Sequence, residues 1–207
     1  DKNKAREIEE TENMVDRYED KLGTYLVKLS GSNLSDKDSR DVGRLLHGIG
    51  DFERISDHAI NILKVAREMD EKNIDFSPSA HSEISNITAA VIEILDMTVK
   101  SFIENDTALA NEVEPLEQVI DALKSELQER HIKRVQEGKC TIELGFVFAE
   151  LLTNYERISD HCSNVAVYTI QRDVTKRDTH KYLNAIKSET DGDFAEKFGK
   201  YEKKYIG

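Results

Sequence analysis

The sequence predicts an all-α protein of six helices arranged as two tandem three-helix bundles. Only two prolines and ten glycines occur among its 207 residues, so little in the chain breaks long helices. Charged residues make up 34% of the chain and hydrophobic residues 38%, which suits amphipathic helices around a core of ordinary size. The hexapeptide ERISDH occurs at residues 53–58 and again at 156–161, which indicates an internal repeat.

Three helices are predicted in the first half of the chain. The first has apolar residues near heptad spacing and ends at a Gly-Ser-Asn cluster at residues 31–33. The second begins with Ser35 or Asp36 as its N-cap and runs to about Lys72. The third follows Pro78 and has an apolar stripe along one side. The apolar residues that define the first helix are Ile8, Val15, Tyr18, Leu22, Tyr25 and Leu29.

The same order of helices is predicted in the second half. A fourth helix begins near Val113 and ends at Gly138, where glycine favours termination. A fifth helix spans residues 141–172, and a more polar sixth helix spans residues 175–205. Each half therefore has three helices, with the ERISDH hexapeptide in the second helix of each.

The register of the two halves supports a duplication. Asp16 in the first helix matches Asp121 in the fourth at an offset of 105 residues, whereas the ERISDH copies lie 103 residues apart. One loop that differs by two residues reconciles the two offsets. We therefore predict that residues 1–105 form the first three-helix unit and residues 106–207 form the second.

Charge and composition exclude several classes of function. The net charge of −12 disfavours binding to nucleic acid, because the only marked basic stretch is the short one from Lys200 to Lys204. The sequence contains no run of about 18 apolar residues and no signal-peptide pattern, so we expect no membrane span. Cys140 and Cys162 lack CxxC spacing, and we interpret them as structural thiols in a reducing compartment.

Four pairs of acidic residues with E-x-x-x-D spacing occupy equivalent positions in the two halves. Residues four apart share a helix face, and two like charges there cost a few tenths of a kcal/mol unless a cation neutralises them. Spacing alone is weak support, since 41 of the 207 residues are acidic and other E-x-x-x-D pairs have no counterpart. The equivalence of the four pairs is what indicates a function. The pairs are Glu12/Asp16, Glu53/Asp57, Glu117/Asp121 and Glu156/Asp160.

Helical periodicity places the acids of the two hexapeptides opposite the apolar faces, and the pairs of the first and fourth helices beside their apolar stripes. In the fifth helix, Ile158 and Cys162 lie on one side and Glu156 and Asp160 on roughly the opposite side. We therefore expect the acidic pairs to line an outer surface, where neighbouring helices bring two pairs together. Asn61 and Asn164 extend the acidic row by one turn, and Arg54 and Arg157 are predicted to be ion-pair partners of the acids.

The remaining residues of the hexapeptide do not indicate catalysis. Ser56 and Ser159 have no base placed as a triad partner, so no catalytic residue is predicted. No E-x-x-H motif is present, which argues against a ferritin-like di-iron enzyme. His58 and His161 lie about 100° around the helix from their acids, and we interpret them as bystanders.

The repeated segments FERISDHAIN and YERISDHCSN, in this layout of two three-helix units, resemble the PhoU family over nearly the whole chain. Residues 113–167, together with the segment DTHKYLNAIK, are similar to the cytosolic PhoU-like domain at the C-terminal end of bacterial sodium/phosphate cotransporter family proteins. That closer likeness, with a first residue other than Met, leads us to expect a longer native chain. Ser56 and Ser159 stand where the family frequently has Gly.

The resemblance implies two three-helix bundles that bind metal ions through the E-x-x-x-D carboxylates and regulate phosphate uptake. Family members are known with iron, zinc or nickel, and a shell made only of carboxylates suits hard ions such as iron(III), manganese or magnesium. The identity of the metal therefore stays open. Carried over residue by residue, the ligands are Glu53, Asp57, Glu156 and Asp160, with Glu12, Asp16, Glu117 and Asp121 from the first helix of each bundle.

From these observations we expect a non-enzymatic, metal-binding regulatory domain at the cytoplasmic face of the membrane, joined in the same chain to a transmembrane sodium-dependent phosphate cotransporter. The first alternative is a free-standing cytoplasmic PhoU protein that represses phosphate uptake and phosphate-starvation signalling. A carboxylate-metal phosphohydrolase is a second alternative, for which the sequence offers no general acid or nucleophile. A purely structural helical scaffold is a third. Homodimer formation and binding of inorganic phosphate are left open.

Overall fold

The computed structural model describes residues 1–171 and 192–207, which form helices and loops without a strand. This confirms the all-helical prediction. Of the predicted sixth helix, residues 192–205 are described and residues 175–191 lie outside the described part. The helices are α1 (Lys2–Ser30), α2 (Asp36–Lys72), α3 (Pro78–Glu104), α4 (Thr107–Ala110), α5 (Val113–Gln136), α6 (Ile142–Ile170) and α7 (Gly192–Tyr205).

The helix boundaries follow from capping residues in the sequence. Ser35 caps α2 by accepting a hydrogen bond from the backbone N–H of Asp38, as predicted. Ser77 caps α3 in the same way, with Pro78 in the first turn. Asn73 and Asn105 end α2 and α3 with positive φ angles of 51° and 53°, a conformation that asparagine tolerates better than most residues.

Helix α6 is the central helix of the described part. It packs against α2 on one side and against α5 and α3 on others, while α1 packs against α2 and α7 packs against α5. The core is a single cluster of apolar side chains, most of them on α3, α5 and α6. Its largest fully buried members include Ile87, Ile94, Leu116, Ile120, Phe148 and Leu152.

Helix α3 belongs to the first sequence repeat but packs mainly against helices of the second. It packs chiefly against α5 and α6, and its C-terminal end also reaches α2, where Phe102 meets Phe52 edge-on at a centroid distance of 5.3 Å. Chain order had placed this helix with α1 and α2. The division at residues 105/106 stays a prediction about the sequence repeat, and the packing of the helices crosses it.

Helix α1 does not bury the apolar stripe that predicts it. Tyr18 and Tyr25 are 60% and 61% exposed, whereas Leu26 is the one fully buried residue that α1 contributes. Glu12 and Glu19 are half-buried on the side that faces α2. This difference arises because α1 packs against α2 and, among the described helices, against no other to a comparable extent. A single contact seam leaves much of the helix surface open.

The two cysteines are both free thiols. Cys162 is fully buried in the core, and burial raises the pKa of its thiol to about 12, so the thiol stays protonated. Cys140 is half-buried, with its Sγ 3.7 Å from Nε2 of His131. None of the described helices combines the length and apolar character needed to cross a membrane.

Candidate metal centres

The structure brings six of the eight predicted ligands together in two clusters of three carboxylates. We call Glu12, Asp16 and Asp57 the α1–α2 cluster, and Glu117, Asp121 and Asp160 the α5–α6 cluster. In each cluster, one carboxylate oxygen of every member lies within 4.8 Å of one from each of the other two. The clusters occupy equivalent positions in the two repeats.

Helix geometry explains how each cluster forms. Glu12 and Asp16 are one turn apart on α1, so their side chains leave the helix on the same side. The short connection between α1 and α2 makes them antiparallel neighbours, which sets Asp57 opposite this pair. Helices α5 and α6 repeat the arrangement, with Glu117 and Asp121 opposite Asp160.

Glu53 lies beside the α1–α2 cluster. Burial raises the pKa of its carboxyl, and the neighbouring charges of Asp57 and Asp16 raise it further, as does a hydrogen bond with Asp57. The nearby charge of Arg54 lowers the pKa only in part. Carboxylates crowded in this way repel one another unless a proton or a cation reduces the charge. A hard cation fits this donor set.

Glu156, the counterpart of Glu53, has a different environment. Its carboxylate forms an ion pair with the Nζ ammonium of Lys124 on α5. Asp160 forms an ion pair with Arg157, with 3.5 Å between Oδ2 and Nη1. The predicted role of Arg157 as a partner of the acids is therefore confirmed.

The two clusters differ in exposure. Asp16 and Asp57 are exposed and Glu12 is half-buried, which agrees with the predicted outer surface. In the α5–α6 cluster, Glu117 is only 3% exposed, so the expectation of an outer surface was wrong for this residue. The reason is that α5 is covered by α3, α6 and α7, whereas α1 is covered mainly by α2.

The histidines of the two hexapeptides connect the repeats, and neither belongs to an acidic cluster. Nδ1 of His58 lies 2.9 Å from Oδ1 of Asn154, and Nδ1 of His161 lies 2.7 Å from Oδ1 of Asp51. Asp51 and Asn154 both stand two residues before the repeated Glu, so the two contacts are equivalent. A polar residue two positions before the repeated Glu in both copies is the sequence feature that could have indicated these contacts.

Asp51 is the centre of a buried polar network. Its side chain also accepts a hydrogen bond from Nδ2 of Asn164 at 3.2 Å, so Asn164 faces Asp51. Burial raises the pKa of the Tyr168 hydroxyl, and the charge of Asp51 and a hydrogen bond to it raise the pKa further. Tyr168 stacks on His47 with the ring centroids 5.4 Å apart. Several residues of α2 and α6 thus depend on one carboxylate.

Comparisons with known proteins agree with this architecture. The PhoU domain family matches residues 1–66 and 84–169. The phosphate-specific transport system accessory protein PhoU homolog 1 of Thermotoga maritima is 24% identical over 189 residues, which are 91% of this chain and 80% of that protein. The PhoU homolog of Clostridium acetobutylicum is 23% identical over 173 residues, which are 82% of this chain and 77% of that protein.

Two solved structures share the fold. The crystal structure of PhoU from Pseudomonas aeruginosa has a TM-score of 0.77 at 22% identity and covers 83% of this chain and 82% of its own. That of the phosphate transport system regulatory protein PhoU from Streptococcus pneumoniae has a TM-score of 0.73 at 16% identity, with 85% and 82% covered. Because the family match includes both repeats and both acidic clusters, the chain belongs to the PhoU family.

Proposed function

We propose that this chain is a non-catalytic regulator of phosphate transport that works as an accessory protein of a phosphate transport system. The observation that carries the proposal is membership of the PhoU family over both repeats. Relatives that span most of the chain have names describing an accessory protein of the phosphate-specific transport system. One structural neighbour is named as a regulatory protein of phosphate transport.

These names support the free-standing alternative better than a domain joined to a sodium-dependent cotransporter. The two named relatives match over 80% and 77% of their own lengths, and each name describes an accessory protein. We therefore propose that the partner is a component of a phosphate transport system, contacted as a separate protein.

We further propose that the two acidic clusters bind cations. The α1–α2 cluster would hold a cation through Glu12, Asp16 and Asp57, and the α5–α6 cluster through Glu117, Asp121 and Asp160. Donor sets made of carboxylate oxygens suit iron(III), manganese and magnesium, and the iron, zinc and nickel implied by the family remain candidates. A bound cation would supply positive charge between two helices whose acids otherwise repel one another.

The protein's own residues indicate how such a site would affect the rest of the fold. Asp57 and Asp160 are each followed by a histidine that contacts the opposite repeat. The position of each of these carboxylates is therefore coupled through the backbone of α2 or α6 to the interface between the repeats. We propose that this interface carries the influence of the clusters to the surface that the partner contacts.

Direct binding measurements test the proposed cation sites. Chelator-treated protein would be titrated calorimetrically with Mn²⁺, Mg²⁺, Zn²⁺ and Fe³⁺. We expect binding of at least one ion, weakened tenfold or more by the double substitution Asp57→Asn/Asp160→Asn. The double variant Asp70→Asn/Glu71→Gln, which removes two exposed charges of α2 outside the clusters, should bind as the wild type does. Absence of binding by all four ions would refute the cation sites.

A separate experiment tests the regulatory role. A bacterium that lacks its own PhoU protein would be supplied with this chain, and uptake of radiolabelled phosphate would be measured. We expect the wild-type chain to change the uptake rate towards that of the parent strain and Asp57→Asn/Asp160→Asn to do so less. If the wild-type chain is expressed and leaves uptake unchanged, the proposed regulation is wrong, whatever the cation measurements show.

A further inference from the structure

The two acidic clusters differ at one equivalent position of the repeat. Three residues after its second acid, α5 has Lys124, whereas α1 has Glu19 at the matching place. Positions three apart on a helix lie near the same face, so each of these residues belongs to the surroundings of its cluster. The duplicated site therefore has opposite charges at the same point in its two copies.

Lys124 forms an ion pair with an acid of the second repeat. Its ammonium forms an ion pair with Glu156, and the two side chains are only 17% and 23% exposed. Partial burial shields such a pair from solvent, so the attraction is stronger than that of a fully exposed pair. The ammonium of Lys124 thus neutralises Glu156, one of the four predicted carboxylate ligands of the second repeat. It also holds the carboxylate of this α6 residue against α5.

Within the described residues, the first repeat has no matching ion pair at its acids, and the charge of Arg54 acts on Glu53 only from a longer distance. In the described part of the chain, no Lys, Arg or His nitrogen lies within 4.0 Å of a carboxylate oxygen of Glu12, Asp16, Glu53 or Asp57. Glu19 adds a fifth acid to this side of α1 and α2, where it is half-buried. At these five equivalent positions, the first repeat therefore has five acidic residues, whereas the second has four acidic residues and one lysine.

Burial does not reverse this comparison. The α5–α6 cluster is the more buried of the two, and a lower local dielectric strengthens every charge interaction there. It strengthens the attraction of the carboxylates for a cation, and it equally strengthens the repulsion of that cation by Lys124. The order of the two cation affinities then depends on the sign and number of the charges in each cluster's surroundings. It depends also on the ion pair that already occupies Glu156.

We propose that the two clusters bind cations unequally, with the α1–α2 cluster as the tight site and the α5–α6 cluster as a weaker site in which Lys124 already occupies Glu156. This proposal rests on the cation binding proposed above. At low cation concentration the first repeat fills alone, and the second fills only as the concentration rises. The chain thereby responds to two ranges of cation concentration with one duplicated motif.

Titration of the chelator-treated full chain with Mn²⁺ tests this order, because electron paramagnetic resonance measures free Mn²⁺ directly. We expect two binding phases. Asp57→Asn should remove or weaken the tight phase, and Asp160→Asn should affect the weak phase. Lys124→Gln, which removes the ammonium at similar side-chain length, should tighten the weak phase on the order of tenfold while the tight phase stays unchanged.

Two further variants complete the test. Lys133→Gln makes the same charge change at an exposed position of α5 and should leave both phases as in the wild type. Glu19→Lys gives the first repeat the positive charge that Lys124 gives the second, and it should weaken the tight phase. This variant tests the proposal even if the Lys124 variant does not fold. Two equal phases, or a tight phase that is lost with Asp160→Asn, would overturn the proposed order while leaving cation binding intact. Failure of the wild type to bind Mn²⁺ or any other ion would instead refute the proposed sites themselves.

Discussion

The imidazole ring of His58 stacks on that of His161, with the ring centroids 5.7 Å apart and the ring planes 26° from parallel. The two copies of the repeated hexapeptide thus meet at the contact between α2 and α6. Each ring also contacts a polar residue of the opposite copy. The segment that supplies a cluster acid in each repeat is therefore also the segment that joins the repeats.

The Asp51 network should contribute more to stability than its Asn154 counterpart. Asp51→Ala removes a buried carboxylate that accepts hydrogen bonds from His161 and Asn164, and hydrogen bonds to charged groups are worth more than neutral ones. We expect a loss of about 2–3 kcal/mol in the free energy of unfolding for Asp51→Ala and about 1 kcal/mol for Asn154→Ala, measured by urea denaturation. Asp20→Ala, at an exposed position of α1, should be nearly neutral. An Asp51→Ala protein as stable as the Asp20→Ala control would contradict this network.

Two glycines of α2 should respond oppositely to replacement by alanine. A Cβ atom on Gly50 would have no non-neighbouring atom within 4 Å, so Gly50→Ala should stabilise the helix by about 0.5–1 kcal/mol. A Cβ on Gly48 would lie 3.1 Å from Cε2 of Phe102, and that ring is held between Phe52 and the guanidinium of Arg44. We expect Gly48→Ala to melt at a lower temperature than Gly50→Ala and to be less stable by about 1–3 kcal/mol. Equal melting temperatures would show that Phe102 moves aside freely.

His131 should make the protein less stable in mild acid. Burial lowers the pKa of its imidazole from 6.5, the charge of Arg134 lowers it further, and Glu83 opposes both. The unfolded chain therefore takes up a proton at a higher pH than the folded chain does. Stability from this group is intact above pH 6.5 and declines as the pH falls from there towards the lowered pKa. His131→Gln should show a smaller drop in melting temperature between pH 7.5 and 5.5 than the wild type, and identical drops would rule out this role.

Glu112 should hold α7 against α5. Its carboxylate accepts a hydrogen bond from the Tyr201 hydroxyl at 3.1 Å and pairs with Lys197 at 3.4 Å. Glu112→Gln removes the charge from this contact, and we expect the backbone amides of α7 to exchange hydrogen about tenfold faster. Glu202→Gln, which changes an exposed residue of α7 itself, serves as the control. Unchanged exchange rates in the Glu112 variant would mean that apolar packing alone holds α7.

Helix positions could be predicted from the sequence because local chemistry determines them. Ser35 and Pro78 mark helix starts through capping and a fixed φ angle, and these effects involve only a few neighbouring residues. Helix type was likewise evident from composition and periodicity. The pairing of α3 with α5 and α6 could not be predicted in this way, because an apolar stripe shows that a helix has a partner without showing which one.

The clusters could be predicted in part, because the spacing of acids along one helix is also a local property. Spacing of four places Glu12 and Asp16 on one face, and the repeat indicates that their equivalents matter. The burial of Glu117 depends on how many helices surround α5, which the spacing does not report. The role of His161 depends on Asp51, which lies 110 residues away in the chain. The role of Lys124 depends on its ion pair with Glu156 of the neighbouring helix, which spacing within α5 does not show.

The position of α3 has a consequence for how the chain can be divided. Ile87 and Ile94 are fully buried, and α3 packs chiefly against the other repeat, so neither half carries a complete core by itself. The transfer runs one way in the described part of the chain, because α3 packs on α5 and α6 of the second repeat whereas α7 packs against α5 of its own repeat. The first half therefore supplies the helix that completes the core of the second half. Fragments cut at the repeat boundary should accordingly be insoluble alone and regain structure when mixed.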